Sequence, residues 1–273
     1  MRRLWVLPLL ALAALPGRGE LGDLHLTVTP EVRTAYISLG KVVEDRPMQI
    51  TSAKGNVDLD FLGRLGVTFF GVSSLTDRKS HVHWHPLYFN DIGPYWGYDW
   101  EVAEGWTLKS ELSRQWSLFR GFEPEYESSS HTIHWWQLDQ ELANPYLTPF
   151  WRLRKVHRPM DLFYTKFGVK RKFPFLEDFY LMPMVYLEGG DVTNIERRLG
   201  KRPNGGRYNN PTTCSITFRL ELGWRISRYF TAFAAVDQYD VVLKSGRDAV
   251  RASADECAHT DLTVGSFGVR CSF

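Results

Sequence analysis

Beyond residue 20 the chain has no apolar run approaching the roughly 20 residues that a bilayer-spanning helix needs, so no later segment crosses a membrane as a helix. Cysteine is scarce. Three in 273 residues are too few for the dense disulfide framework of small secreted domains, although an oxidising compartment suits them. Charge of one sign is missing as well: 33 basic against 31 acidic residues leave a formal net charge of +2. No field of that size recruits nucleic acid or selects an acidic substrate. Helical periodicity is nearly absent along the whole length.

What is present is aromatic side chain, with 10 Trp, 12 Tyr and 17 Phe at a mean hydropathy of −0.28. A spanning β-barrel has this composition, because half of each strand faces lipid and half faces a polar lumen. A secreted β-sandwich or a periplasmic sugar-binding domain has it too, so patterning must decide. Period-two alternation recurs, most clearly where Ile216, Phe218, Leu220, Leu222 and Trp224 alternate with Ser215, Thr217, Arg219, Glu221, Gly223 and Arg225. Eleven alternating residues exceed most soluble strands and suit a tilted lipid-spanning one. Similar rows put Trp106, Leu108, Leu112, Trp116 and Leu118 outward with Arg114 breaking the row; Leu59, Phe61, Leu65, Val67 and Phe69 outward; and Leu24, Leu26, Val28, Val32 and Tyr36 outward. Residues 94–102 set Trp96, Tyr98, Trp100 and Val102 against Asp99 and Glu101. Alternation weakens at 131–142 and 229–242, where no face is assigned.

Connection lengths alternate in step. Ala103-Glu104-Gly105, Ala143-Asn144-Pro145 and Ile226-Ser227-Arg228 are tight turns and 172–178 is short, whereas 74–91, 120–130, 190–212 and 245–261 are longer and polar, with a briefer one at 155–160. Tight turns on one side and longer loops on the other mark a transmembrane barrel. Counting back from Phe273 gives strands at 262–273, 229–244, 213–226, 177–189, 161–172, 146–155, 131–142, 106–119, 92–102 and 59–73. An even number is completed by 24–39 and 47–54, hinged at Val43-Glu44-Asp45-Arg46. The expected fold is therefore all-β, a closed antiparallel transmembrane β-barrel of about twelve strands, with ten or fourteen as alternatives. Pro149 and Pro183 fall inside two of these strands and are expected at bulges, since proline cannot donate to a ladder.

The two ends agree with this. Arg2-Arg3, the apolar run Leu4–Leu15 and the Pro16-Gly17-Arg18-Gly19 breaker read as a secretory signal peptide over 1–19, leaving the barrel in 20–273. At the other end Cys271, Val269, Phe267 and Gly265 alternate with Ser272, Arg270, Gly268 and Ser266 before a terminal Phe273. This strand resembles the closing strand of bacterial outer-membrane β-barrels. The resemblance implies location in the outer membrane, contact with its lipid, and reading of Phe273, Phe267 and Val269 by the barrel assembly machinery.

Charged residues assigned to the inward rows are Glu31, Arg33, Arg64, Glu101, Lys109, Glu111, Arg152, Arg154, Lys166, Arg219 and Glu221 as lumen-lining residues, with Asp60, Asp99, Lys170, Glu188 and Arg225 beside them. Opposite charges on adjacent strands stabilise a lumen by pairing, or select ions as an eyelet; the basic excess points toward anions. Trp96, Trp100, Trp106, Trp116, Trp136, Trp151 and Trp224 fall near strand ends, as girdle residues do. His81, His83 and His85 share one side of an extended segment, but without Cys, Asp or Glu at ligand spacing they read as a hydrated loop, and no metal or cofactor is assigned. Cys214 and Cys257 both fall near long loops and form a candidate disulfide. Outer-membrane phospholipase and lipid A deacylase barrels carry a His-x-Ser-Asn element; His25, His131, His134 and His157 are followed by other residues, so no catalytic residue is assigned. Finally, Ala35-Tyr36-Ile37-Ser38-Leu39-Gly40 followed by Asp45-Arg46-Pro47-Met48-Gln49 resembles the first hairpin of small TorF-like porins. That resemblance implies a narrow or passive channel; a lipid-directed hydrolase and a structural or interaction barrel are the alternatives.

Overall fold

The computed structural model describes residues 23–38, 41–75, 89–117, 133–157, 162–190, 213–251 and 259–273. The expected signal peptide, His81–His85, Cys257 and most of the longer loops lie outside the described residues. Twelve long antiparallel strands form the wall: β1 Leu24–Arg33, β2 Met48–Asp58, β3 Arg64–Ser74, β4 Phe89–Ala103, β5 Trp106–Ser117, β6 Ile133–Ala143, β7 Thr148–Val156, β8 Leu162–Lys170 extended by Phe173–Leu176, β9 Phe179–Gly190, β10 Thr213–Arg225, β11 Phe230–Val241 and β12 Asp261–Ser272. Each pairs with its sequence neighbours, and β1 pairs with β12, for example Val32 with Phe267, so the sheet closes on itself. Closure satisfies every ladder edge, which hydrocarbon would otherwise leave without partners.

The registers also fix the barrel's width. Carried once round the wall, they return to β1 displaced by about 16 residues. Twelve strands with that stagger, spaced about 4.8 Å apart and rising about 3.3 Å per residue, tilt by about 42° and enclose a backbone radius of about 13 Å. This is between barrels filled by side chains and wide porins.

The outer surface is apolar. Leu65, Val67, Ile92, Leu112, Leu153, Phe167, Leu187, Phe218, Leu220, Leu222, Val236 and Phe267 are all exposed. At the end bearing the short turns, Trp224 stacks on Phe179 at 5.8 Å and Phe273 meets both Tyr229 and Phe230. Toward the other end the Arg114 guanidinium lies 5.3 and 5.5 Å from the Trp116 and Trp136 rings. The lone charge in that outward row is thus held over aromatic faces at an interface. A closed barrel with this apolar exterior has the form of a transmembrane β-barrel, and in such barrels of bacterial outer membranes the short turns lie on the periplasmic side.

Three details depart from the sequence reading. Residues 59–63 are a periplasmic turn: Asp60–Leu62 make one 3-10 turn, with Asp60 at φ 51° and Gly63 at φ 78°. Leu59 and Phe61 therefore leave the outward row and Asp60 the inward one, because a strand cannot continue through left-handed backbone. Second, Pro183 lies within unbroken β9–β10 register instead of at a bulge. The pairing lapses on its other side, where β8 is interrupted at residues 171–172. Pro94 does the same on β4, next to Gly93, where a Cβ would lie 2.0 Å from the Arg114 carbonyl oxygen. Proline removes one donor, so one neighbour loses its ladder while the other keeps it.

The third departure concerns Tyr36. The first strand stops at Arg33, and Tyr36–Ser38 pairs instead with Lys41–Glu44 as a separate hairpin. Tyr36 is buried against Met48, Ile50, Val72 and Phe70; Val42 is buried against Tyr239, Val241, Ala249 and Val250, with Ile37 and Leu262 alongside. Ile50, Val72, Tyr239, Val241 and Leu262 alternate with lipid-facing positions and so belong to the inner wall. Ala249 and Val250 come from the helix α1 (Lys244–Arg251), whose Arg247 donates to both carboxylate oxygens of Asp240 at 2.9 Å and to the Val241 carbonyl. The hairpin therefore folds into the extracellular mouth on the β11–β3 side. His259 and Asp45, 3.3 Å apart, tie its base to the segment before β12.

Candidate functional site: the charged interior

Several polar contacts join strands that are not neighbours in the sheet, and only the interior allows that. Lys54 on β2 reaches Glu111 on β5. Arg219 on β10 lies 3.8 Å from Glu31 on β1, Arg270 on β12 donates to the Tyr180 hydroxyl on β9 at 3.1 Å, and Gln115 on β5 donates to Thr68 on β3 at 3.0 Å. The period-two backbone sets this up: Arg219 stands between exposed Phe218 and Leu220, Glu111 beside exposed Leu112 and Thr68 beside exposed Val67.

The inner charges divide into two kinds of wall. On β1 and β9–β12 the carboxylates and Arg219 are packed, with Arg33 and Arg270 at the half-open edges of the network. Arg219 donates to Asp237 at 2.9 Å and to Glu221 at 3.2 Å, Glu31 also binds Arg33 at 3.0 Å, and Tyr180 and Arg270 close on Glu221 at 2.9 and 3.5 Å. The Glu221 and Asp237 side chains keep only 3% and 5% of their exposure. On β2–β8 the pairs are open: Arg64–Asp99, Arg152–Asp139 and Lys170–Glu141, each at 2.5 Å, together with Lys54–Glu111, retain between 23% and 39%.

Of the residues singled out from sequence, Glu31, Arg33, Arg219 and Glu221 meet in the packed network. Arg64 and Glu111 each bind a partner on the open side, and Arg152 and Arg154 stand two apart on β7, with Lys166 directly opposite Arg152 on β8. Glu101 and Lys109 are exposed near the periplasmic turn between β4 and β5, and Arg225 pairs with Asp178 at 3.4 Å on the periplasmic rim. Cys214 is half-buried at the start of β10; its candidate partner lies outside the described residues. The sequence reading missed Lys54, Asp139, Glu141, Asp237 and Arg270. Lys54 was the last residue of a strand read too short. Asp139, Glu141 and Asp237 fall in the two segments without clear faces, where Gln140 and Gln238 interrupt the outward rows.

No protein-family model matches the sequence, and a search of curated proteins returns no match. Among solved structures, an outer-membrane channel from Pseudomonas putida F1 is similar over 95% of this chain and 97% of its own, at 9% identity and a TM-score of 0.55. KdgM porin is similar over 91% and 99%, at 11% identity and 0.48, and NanC porin over 91% and 98%, at 14% and 0.47. At these identities the likeness is one of fold.

Proposed function

We propose that the barrel is a narrow porin, passing small solutes through a charged lumen. The observation that supports it most is the partial exposure of the paired charges on β2–β8, inside a wall that is otherwise closed. Charges that water still reaches there mark a hydrated path, since a dry interior would have to bury them completely. The hairpin fills the β11–β3 side of the mouth, so the path is eccentric and follows the opposite wall. In this reading residues 1–19 are removed on export, and the assembly machinery recognises the last strand through Phe273, Val269 and Phe267. The test is single-channel recording of the refolded protein in planar bilayers: discrete current steps are expected, and a baseline trace at saturating protein removes the porin reading.

A further inference from the structure

We infer that the β7–β8 wall carries an anion-binding site, built by Arg154 and Lys166 with Arg152 beside them, for small solutes bearing carboxylate or phosphate oxygens. Its transport consequence rests on the porin reading; its binding consequence does not.

The argument starts from which inner cations are already neutralised. Arg33, Lys54, Arg64, Arg152, Lys170, Arg219 and Arg270 each have a carboxylate oxygen within ion-pair distance. Arg154 and Lys166 have none among the described residues. Both are instead held by uncharged groups. The Arg154 Nε donates to Gln137 Oε1 at 2.8 Å, with the guanidinium 4.9 Å from the Trp135 ring and 5.9 Å from that of Tyr164. The Lys166 ammonium lies 3.4 Å above the Tyr186 ring. An aromatic face orients a cation without cancelling its charge for a solute arriving on the open side. Among the described residues no hydrogen bond occupies the two terminal Arg154 nitrogens, which suits them to a forked contact with paired oxygens.

Two acids beside the site are otherwise engaged. Glu188 is the cross-strand partner of Lys166 and accepts the Tyr164 hydroxyl at 2.5 Å, while Asp139 is taken by Arg152. Charges on facing strands complete the surroundings: Arg33 and Asp237 lie within electrostatic reach of Lys166, and Asp91 and Asp139 within reach of Arg154. Three cations on adjacent strands, two of them without a direct ion pair among the described residues, stand close enough to repel one another. A bound oxyanion relieves that repulsion, which neither a neutral solute nor a cation does. The site also stands across the lumen from the apolar hairpin, on the side where solutes must pass.

Inorganic phosphate titrated onto the refolded full chain in detergent, followed by calorimetry and by tryptophan emission, tests the site directly. Saturable binding is expected, weakened about tenfold by Arg154→Gln and by Lys166→Gln and left unchanged by Arg251→Gln on α1. In bilayers under a tenfold KCl gradient, the reversal potential should report chloride preference that falls toward zero in the double variant. Absent or non-saturable phosphate binding, or binding indifferent to both substitutions, overturns the site. Current without binding or anion preference removes the site and leaves the porin, whereas binding without current leaves the site and removes the porin.

Discussion

Replacing Arg219 by Ala tests the packed half of the interior. Arg219 reaches three carboxylates at once, Asp237 at 2.9 and 3.3 Å, Glu221 at 3.2 Å and Glu31 at 3.8 Å, and all three are almost fully enclosed. Losing the arginine strips the buried Asp237 of its ion pair, while Glu31 keeps Arg33 and Glu221 keeps Arg270; breaking a buried pair this way costs about 3–5 kcal/mol. Arg152→Ala is the matched comparison. Arg152 and Asp139 form a closer pair, at 2.5 Å, but both remain roughly one-third exposed, so screening limits the loss to about 0–1 kcal/mol. Urea unfolding of the refolded barrel in lipid vesicles, read by tryptophan emission, measures both. Adding Asp237→Asn to Arg219→Ala should recover part of the loss, with a coupling of about 1–3 kcal/mol. Equal costs for the two single variants, or a loss below about 1 kcal/mol for Arg219→Ala, would refute the division into a dry wall and a wet one.

Three further outcomes follow from the fold. Leu222→Arg on the exposed row of β10 should cost about 2–4 kcal/mol in vesicles, as a cation does near the middle of the lipid face, and the same urea titration reads it. Gly93→Val should disrupt the β4–β5 pairing, because a Cβ there meets the Arg114 backbone at 2.0 Å; loss of heat-modifiable gel migration would show it. Val42→Asp puts a charge into the fully buried cluster that anchors the hairpin, where burial of Val is worth about 1.5–3 kcal/mol. The hairpin should leave the mouth, raising single-channel conductance while the urea midpoint of the wall stays within error.

Much of the wall was legible in the sequence because lipid enforces alternation: where one face must be apolar over ten residues, as on β10, parity is readable without partners. Legibility failed where that constraint relaxes. At 59–63 the turn lies beyond the hydrocarbon, and its apolar Leu59 and Phe61 imitate strand periodicity. At Tyr36 the alternation continues past the strand's end, but the ring turns inward to pack on Met48 and Ile50. On β11 the inner row mixes Phe233, Ala235 and Tyr239 with Asp237, since it must pack both the hairpin and the ion network, so neither face looks polar. The charged site was half legible: parity identifies which charges face inward, but which of them neutralise each other depends on barrel stagger, which pairs Lys54 with Glu111 across 57 residues.

The central claim is that hydrocarbon surrounds this wall, and nitroxide scanning along β10 tests it most directly. Labels placed singly at 215 through 224 in vesicles should alternate. Even positions, among them 218, 220 and 222, should collide with membrane-dissolved oxygen and not with an aqueous nickel chelate, while odd positions show little oxygen collision. Chelate collisions at 218, 220 and 222, or no period of two, would contradict the account.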